Sequence, residues 1–184
     1  MSILNVMWAG GAAYLSTHKV HREILAFADA QEAVSSWLLL PGDSAPLQTI
    51  GAVESLGLSS SRLKGSGWQV LRRLCDRARL KRRLMREAPR LVMLDGIGVA
   101  RYFLPLLRHI PATQVVVVFH GVKRLRAAEV RLLRDFPAQR LRLLAVSKTL
   151  SEDVARQVQL PVLGVRNALD PMAFRAALLS HDDV

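Results

Sequence analysis

Five short stretches of this chain could carry chemistry, and each closely follows an apolar, β-prone run. They are Gly10-Gly11, Asp95-Gly96, His120-Gly121, Ser147-Lys148 and Asn167. The sharpest is "VVVVFHG" at 115–121, where a strand-like run stops at an imidazole and a glycine. A ring held at the end of a buried strand is rigidly placed, and a glycine beside it leaves room for a ligand. Neutral imidazole both donates and accepts a hydrogen bond, which suits a polar ligand. Gly10-Gly11 lets backbone approach a phosphate or sugar, with a helix start behind it to favour an anion. The surrounding "AGGAAYLS" is neither G-x-G-x-x-G nor a P-loop, so a tight structural turn explains it equally well.

Other chemistries find less support. His18 and His21 are three residues apart on an expected helix, near Glu23 and Asp29, but no further ligand cluster accompanies them. They read as surface histidines, and no metal or other cofactor is expected. Ser147 has no G-x-S-x-G elbow, which argues against a hydrolase nucleophile. The single cysteine, Cys75, allows neither a disulfide framework nor a cysteine-based metal site, and a reducing cytoplasm fits.

The chain of 184 residues carries a net charge of +11, which calls for an anionic partner. The charge is clustered. Residues 62–90 hold eleven Arg or Lys, among them Arg72, Arg79, Arg82, Arg83 and Arg86, against only Asp76 and Glu87. A helix over Gly67–Glu87 would place Val70, Leu71, Leu74, Ala78 and Met85 on the sheet and turn most charge outward. The partner expected for that face is the phosphate head groups of an anionic membrane. Nucleic acid fits less well, because Trp68 is the one stacking aromatic nearby. A solvated basic face with no partner is the plainer alternative.

The elements that must position these residues alternate between strand and helix. Strands are expected at Ile3–Trp8, Trp37–Leu40, Leu91–Leu94, Val115–Phe119, Leu141–Val146 and Val162–Val165. Helices are expected at Thr17–Ala30, Gly67–Glu87, Val99–Arg108, Leu125–Asp135 and Leu150–Gln157. Residues 43–67 are ambiguous, with a short strand at Ala52-Val53 or Leu56-Gly57-Leu58. Continuous apolar strands alternating with helices give an α/β fold, a doubly wound, mostly parallel sheet with helices on both faces. Ligands of such sheets bind beyond the carboxyl ends of the strands, where the five stretches fall. No apolar run approaches the roughly 20 residues of a membrane span. Residues 3–15 could pass for a signal-peptide core, but no Lys or Arg precedes Lys19.

The order "AGGAAYL", "VVVVFHG", "LLAVSKTLSEDVARQ" and "VLGVRNALDPMAF" resembles the N-terminal half of the retaining GT-B glycosyltransferases that build bacterial lipopolysaccharide and exopolysaccharide. Ala168 stands where that family usually has glycine. The resemblance implies a Rossmann-like first domain over 1–165, with 166–184 starting the interdomain hinge. It implies that Gly10 and Gly11 face the donor phosphates and that His120 lies by the transferred sugar as the residue closest to catalysis. Asp95, Gly96, Gly121 and Ser147 would line the cleft, and Asn167 and Asp170 would serve the hinge. The family's Glu-x7-Glu pair belongs to a second domain absent here; the chain is then a first domain alone or a truncated product, inactive by itself.

The function expected is the acceptor-binding half of a glycosyltransferase. It would help move a sugar from a nucleotide-sugar donor to a glycolipid, lipopolysaccharide-core or polysaccharide acceptor, at the inner face of the cell membrane. The rival expectations are a nucleic-acid-binding module using the basic helix, and a nucleotide-sugar epimerase domain.

Overall fold

The structure is a computed structural model that describes residues 2–8, 20–22, 24–25, 33–39, 52–58, 67–121 and 124–165; for 67–73 it describes the backbone only. Gly10, Gly11, Asn167, Asp170, His18 and the turn Pro41-Gly42-Asp43 lie outside the described residues.

Among the described residues, seven strands form one sheet in the order β3-β2-β1-β4-β5-β6-β7. They are β1 (Ser2–Met7), β2 (Ala33–Leu38), β3 (Ala52–Ser55), β4 (Leu91–Asp95), β5 (Gln114–Phe119), β6 (Leu141–Ala145) and β7 (Val162–Gly164). All six pairings are parallel. The helices are α1 (Gly67–Glu87), α2 (Gly96–Leu107), α3 (Ala127–Arg134) and α4 (Lys148–Val158). Residues 20–22 and 24–25 are helical as well. This is the expected doubly wound, Rossmann-like α/β architecture.

Strand parity divides the core. Leu4, Val6, Val92, Leu94, Val115 and Val117 point to one face, where they meet Leu80 and Leu84 of α1, Phe103 and Leu104 of α2, Leu133 of α3 and Val154 of α4. Ile3, Met93 and Val118 point to the other face and pack with Leu25, Val20 and Ile24. Both faces being covered explains why the strands are continuously apolar rather than alternating.

Two expectations are corrected. The second strand begins at Ala33, four residues before the apolar run at Trp37. Ser35 and Ser36 hid it, because a strand lined by hydroxyls lacks the apolar signature. The apolar face of α1 is also different. Leu80 and Leu84 are buried, whereas Leu74 and Met85 are 57% and 53% exposed and Ala78 is exposed. The positions 74, 78 and 85 do share one helical face, but it is the outer one, because the Leu80–Leu84 pair lies across the helix and meets the sheet. Within the ambiguous stretch Ala52–Ser55 form β3, which pairs with Ser35–Leu38.

α1 is fastened at Arg83. Its guanidinium donates to both oxygens of Glu54 on β3 at 2.6 Å, donates to Glu87 at 2.7 Å, and lies 4.4 Å from the Trp37 ring centroid. The guanidinium, first through its hydrogen bond, holds the Glu54 carboxyl below the usual range.

Candidate functional site

The site grows from strand parity. Asn5 follows Ile3 by two, Asp95 follows Met93 by two, and His120 follows Val118 by two. All three therefore address the face covered by the helical residues 20–22 and 24–25. His21 lies four residues before Leu25, on the same side of that helix. Polar side chains thus converge where an apolar core would otherwise continue.

They form one connected chain. Asn5 Nδ2 donates to Ser36 Oγ at 3.2 Å, which turns Asn5 Oδ1 toward His21 Nδ1 at 2.7 Å. That contact puts the proton on Nδ1 and leaves the Nε2 lone pair of neutral His21 as an acceptor. His120 Nε2 is 3.1 Å from it, so His120 donates there. The two rings stack at 28° with centroids 5.1 Å apart. His120 Nε2 is also 3.5 Å from Asp95 Oδ1. Asn5, Ser36 and His21 are fully buried, and their mutual hydrogen bonds offset the cost of burying them.

Burial sets the protonation of the outer pair. It pushes the Asp95 carboxyl up to about 6, against a hydrogen bond from the Trp8 backbone amide. It pushes the His120 imidazole down to about 4. Both shifts favour the neutral forms. Between those values the proton sits on the carboxyl, and His120 is neutral with one nitrogen to donate and one to accept.

The positions are those at which doubly wound sheets bind ligands. Asp95 and His120 end β4 and β5, beside β1, and the strand order runs outward in opposite directions from the β1–β4 pair. Gly96 has φ +67, so the turn from β4 into α2 uses a conformation that favours glycine. Gly121 is exposed with open space beside it. Ser147 ends β6 on the same edge, but its Oγ caps α4 by accepting from Leu150 N at 3.2 Å. The structure brings Asp95 and His120 into contact and keeps Gly96, Gly121 and Ser147 along the same edge.

His21 is the correction. It is not a surface histidine but a fully buried one at the centre of the cluster. His21, Asp95 and His120 offer ligand atoms that lie within 4.8 Å of one another, the group among the described residues able to hold a metal ion. Strand parity together with the His21–Leu25 spacing could have found it.

The basic residues divide. Arg79, Arg82 and Arg86 are exposed, and with Arg83 they line a cavity of about 420 Å³ on α1. Arg83 itself is committed to Glu54, Glu87 and Trp37. The side chain of Arg72 lies outside the described residues.

No protein-family model matches this sequence, and no curated protein matches it. Solved structures do resemble its fold. A glycosyltransferase from Rickettsia africae ESF-5 aligns with a TM-score of 0.62 at 12% identity, over 98% of this chain and 49% of that one. A UDP-GlcNAc 2-epimerase from Neisseria meningitidis, bound to UDP-GlcNAc, aligns at 0.56 and 12%, over 98% and 51%. Another UDP-N-acetylglucosamine 2-epimerase aligns at 0.51 and 10%, over 85% and 44%. The chain spans about half the length of the structures it matches. The shared fold is therefore a GT-B-like, Rossmann-type half.

Proposed function

We propose that this chain is the acceptor-side half of a glycosyltransferase using a nucleotide-sugar donor. The observation that carries the reading is the polar cluster of Asp95 and His120, placed at the carboxyl edge of a GT-B-like half-fold. In this reading 1–165 form the first domain and 166–184, with Asn167 and Asp170, lead toward a second domain that supplies most donor contacts. Gly10 and Gly11 face the donor phosphates. His120 touches a hydroxyl of the transferred sugar or of the acceptor, with Asp95 beside it.

The acceptor is a glycolipid, lipopolysaccharide-core or polysaccharide chain, and the enzyme works peripherally on the cytoplasmic face of the membrane. The outer face of α1 supports this: exposed Leu74, Ala78 and Met85 lie beside exposed Arg79, Arg82 and Arg86. Apolar residues flanked by arginines suit a helix lying at an anionic lipid surface. No helix among the described residues is long and apolar enough to cross a membrane.

A second reading, half of a nucleotide-sugar epimerase, rests on the epimerase fold neighbours. Product analysis separates the two: a transferase joins the sugar to an acceptor, whereas an epimerase returns a sugar with one centre inverted. For the chain itself, the test is nuclear magnetic resonance of the histidine rings during titration with saccharide acceptors and nucleotide sugars. The expected result is a shift of the His120 ring with an acceptor, and no steady turnover by this chain alone. Unmoved His120 and His21 rings across both panels overturn the assignment of this cleft.

A further inference from the structure

The geometry points to a site for one divalent transition-metal ion, held by His21 Nε2, His120 Nε2 and the Asp95 carboxylate. A tetrahedral ion with bonds of about 2.0–2.1 Å spaces its ligand atoms roughly 3.3 Å apart. The two edges measured here are 3.1 Å, from His21 to His120, and 3.5 Å, from His120 to Asp95. They bracket that value, and the three ligand atoms lie within 4.8 Å of one another.

The surroundings are those of a metal centre too. A ligating histidine holds its tautomer by donating its other N–H to a fixed partner. His21 does so through Nδ1 to Asn5, which Ser36 orients in turn. The Trp8 amide donates to the Asp95 carboxyl. Two imidazoles and one carboxylate select zinc and its first-row neighbours over magnesium or calcium. In the metal-free protein His120 shares its Nε2 proton with His21; when the ion enters, that proton moves to Nδ1 and the freed lone pair binds the ion. Three protein ligands leave a fourth position open. His120 and Asp95 retain 18% and 12% side-chain exposure, so that position faces the crevice.

This departs from the sequence expectation of no metal. It is independent of the sugar reading, because binding is measured with no sugar present. The experiment titrates chelator-stripped protein with Zn²⁺ against a competing chelator, and with Co²⁺ followed by its visible ligand-field bands. The expected result is one ion per chain, a raised Tm, and cobalt bands of a low-coordinate nitrogen and oxygen site. His21→Ala removes a fully buried ring and endangers the fold, so His120→Ala and Asp95→Ala carry the test. Each should weaken binding at least tenfold, since even changes to residues behind the ligands cost about 10–100-fold. His109→Ala, an exposed ring away from the cluster, should leave binding unchanged. Zinc affinity that is equal in wild type and His120→Ala, or that disappears with His109→Ala, overturns the site.

Discussion

His21 and His120 are separated by 99 positions in sequence, yet their Nε2 atoms meet at 3.1 Å and their rings stack. The two play unequal parts. His21 is fully buried and bonded to Asn5, whereas His120 stands at the rim. Removing His21 strands the Asn5 carbonyl and opens a void. His21→Ala should therefore cost roughly 2–4 kcal/mol of stability, read from urea midpoints. His120→Ala should cost no more than about 1 kcal/mol. Under the proposed transferase reading, in which a second domain completes the enzyme, His120→Ala should lower kcat/KM at least about tenfold, the loss of one hydrogen bond in the transition state. The reverse pattern, a large loss of Tm with normal turnover, makes His120 a purely structural histidine.

The outer pair predicts an unusual pH response, measured with chelator present. Asp95 titrates at about 6 when folded, against 3.8 for the free carboxyl. Its stabilising contribution is full below about 4 and is lost as pH rises through about 6. His120 titrates at about 4 when folded, against 6.5 for free imidazole. Its contribution is full above 6.5 and is lost as pH falls through about 4. The two slopes oppose each other, so between pH 4 and 6 the pair should leave wild-type stability nearly flat. Asp95→Asn removes the falling slope, and stability should then climb with pH across that window. His120→Gln should make it decline. Urea midpoints measured at half-unit steps would show this, and parallel curves for all three proteins would refute it.

The sheet was readable from the sequence because a doubly covered parallel sheet writes itself as apolar runs. Asp95 and His120 were readable for the same reason: each interrupts such a run at its carboxyl end. Ser36 and Asn5 were not. They are polar residues inside strands, and their value comes only from His21, which reaches them from a distant helix. His21 itself looked like half of a surface pair with His18, because spacing along one helix says nothing about what the sheet presents opposite. The face of α1 misled for a related reason. Leu74, Ala78 and Met85 form a real stripe, but only tertiary packing decides which of two stripes a helix buries.

The basic helix yields a paired prediction. Arg79, Arg82 and Arg86 are exposed, and each side chain near an anionic surface contributes on the order of 1 kcal/mol. Changing those three to Ser should weaken binding to anionic vesicles at least tenfold in flotation assays and leave Tm unchanged. Arg83→Ser should act the other way. It releases Glu54, Glu87 and the Trp37 ring, a loss of about 1 kcal/mol. In a domain of this size that lowers Tm by about 2–4 °C. Vesicle binding that survives the triple change, or that is lost in neutral vesicles and anionic ones alike, removes lipid charge as the partner.

Arg140 tests whether scaffold and site can be separated. It is buried just before β6, at the opposite edge of the sheet from His120. Its guanidinium donates to the carbonyls of Leu107 at 2.8 Å, Ile110 at 2.6 Å and Thr113 at 3.0 Å, and lies 5.2 Å from the Phe136 ring centroid. One side chain thus ties the turn between α2 and β5 to the start of β6. Arg140→Met keeps most of the apolar stem but leaves buried carbonyls short of donors, at roughly 2–4 kcal/mol. Tm should fall by about 5–15 °C. The histidine cluster stands on β1, β2, β4 and β5 and on the helical residues 20–22 and 24–25, none of which Arg140 touches at its site end. The His120 ring resonance, and its response to an acceptor, should therefore remain as in wild type at temperatures where the variant is folded. A variant of normal Tm would show the three carbonyl contacts to be dispensable. A changed His120 resonance in folded protein would show that the turn reaches the site through β5.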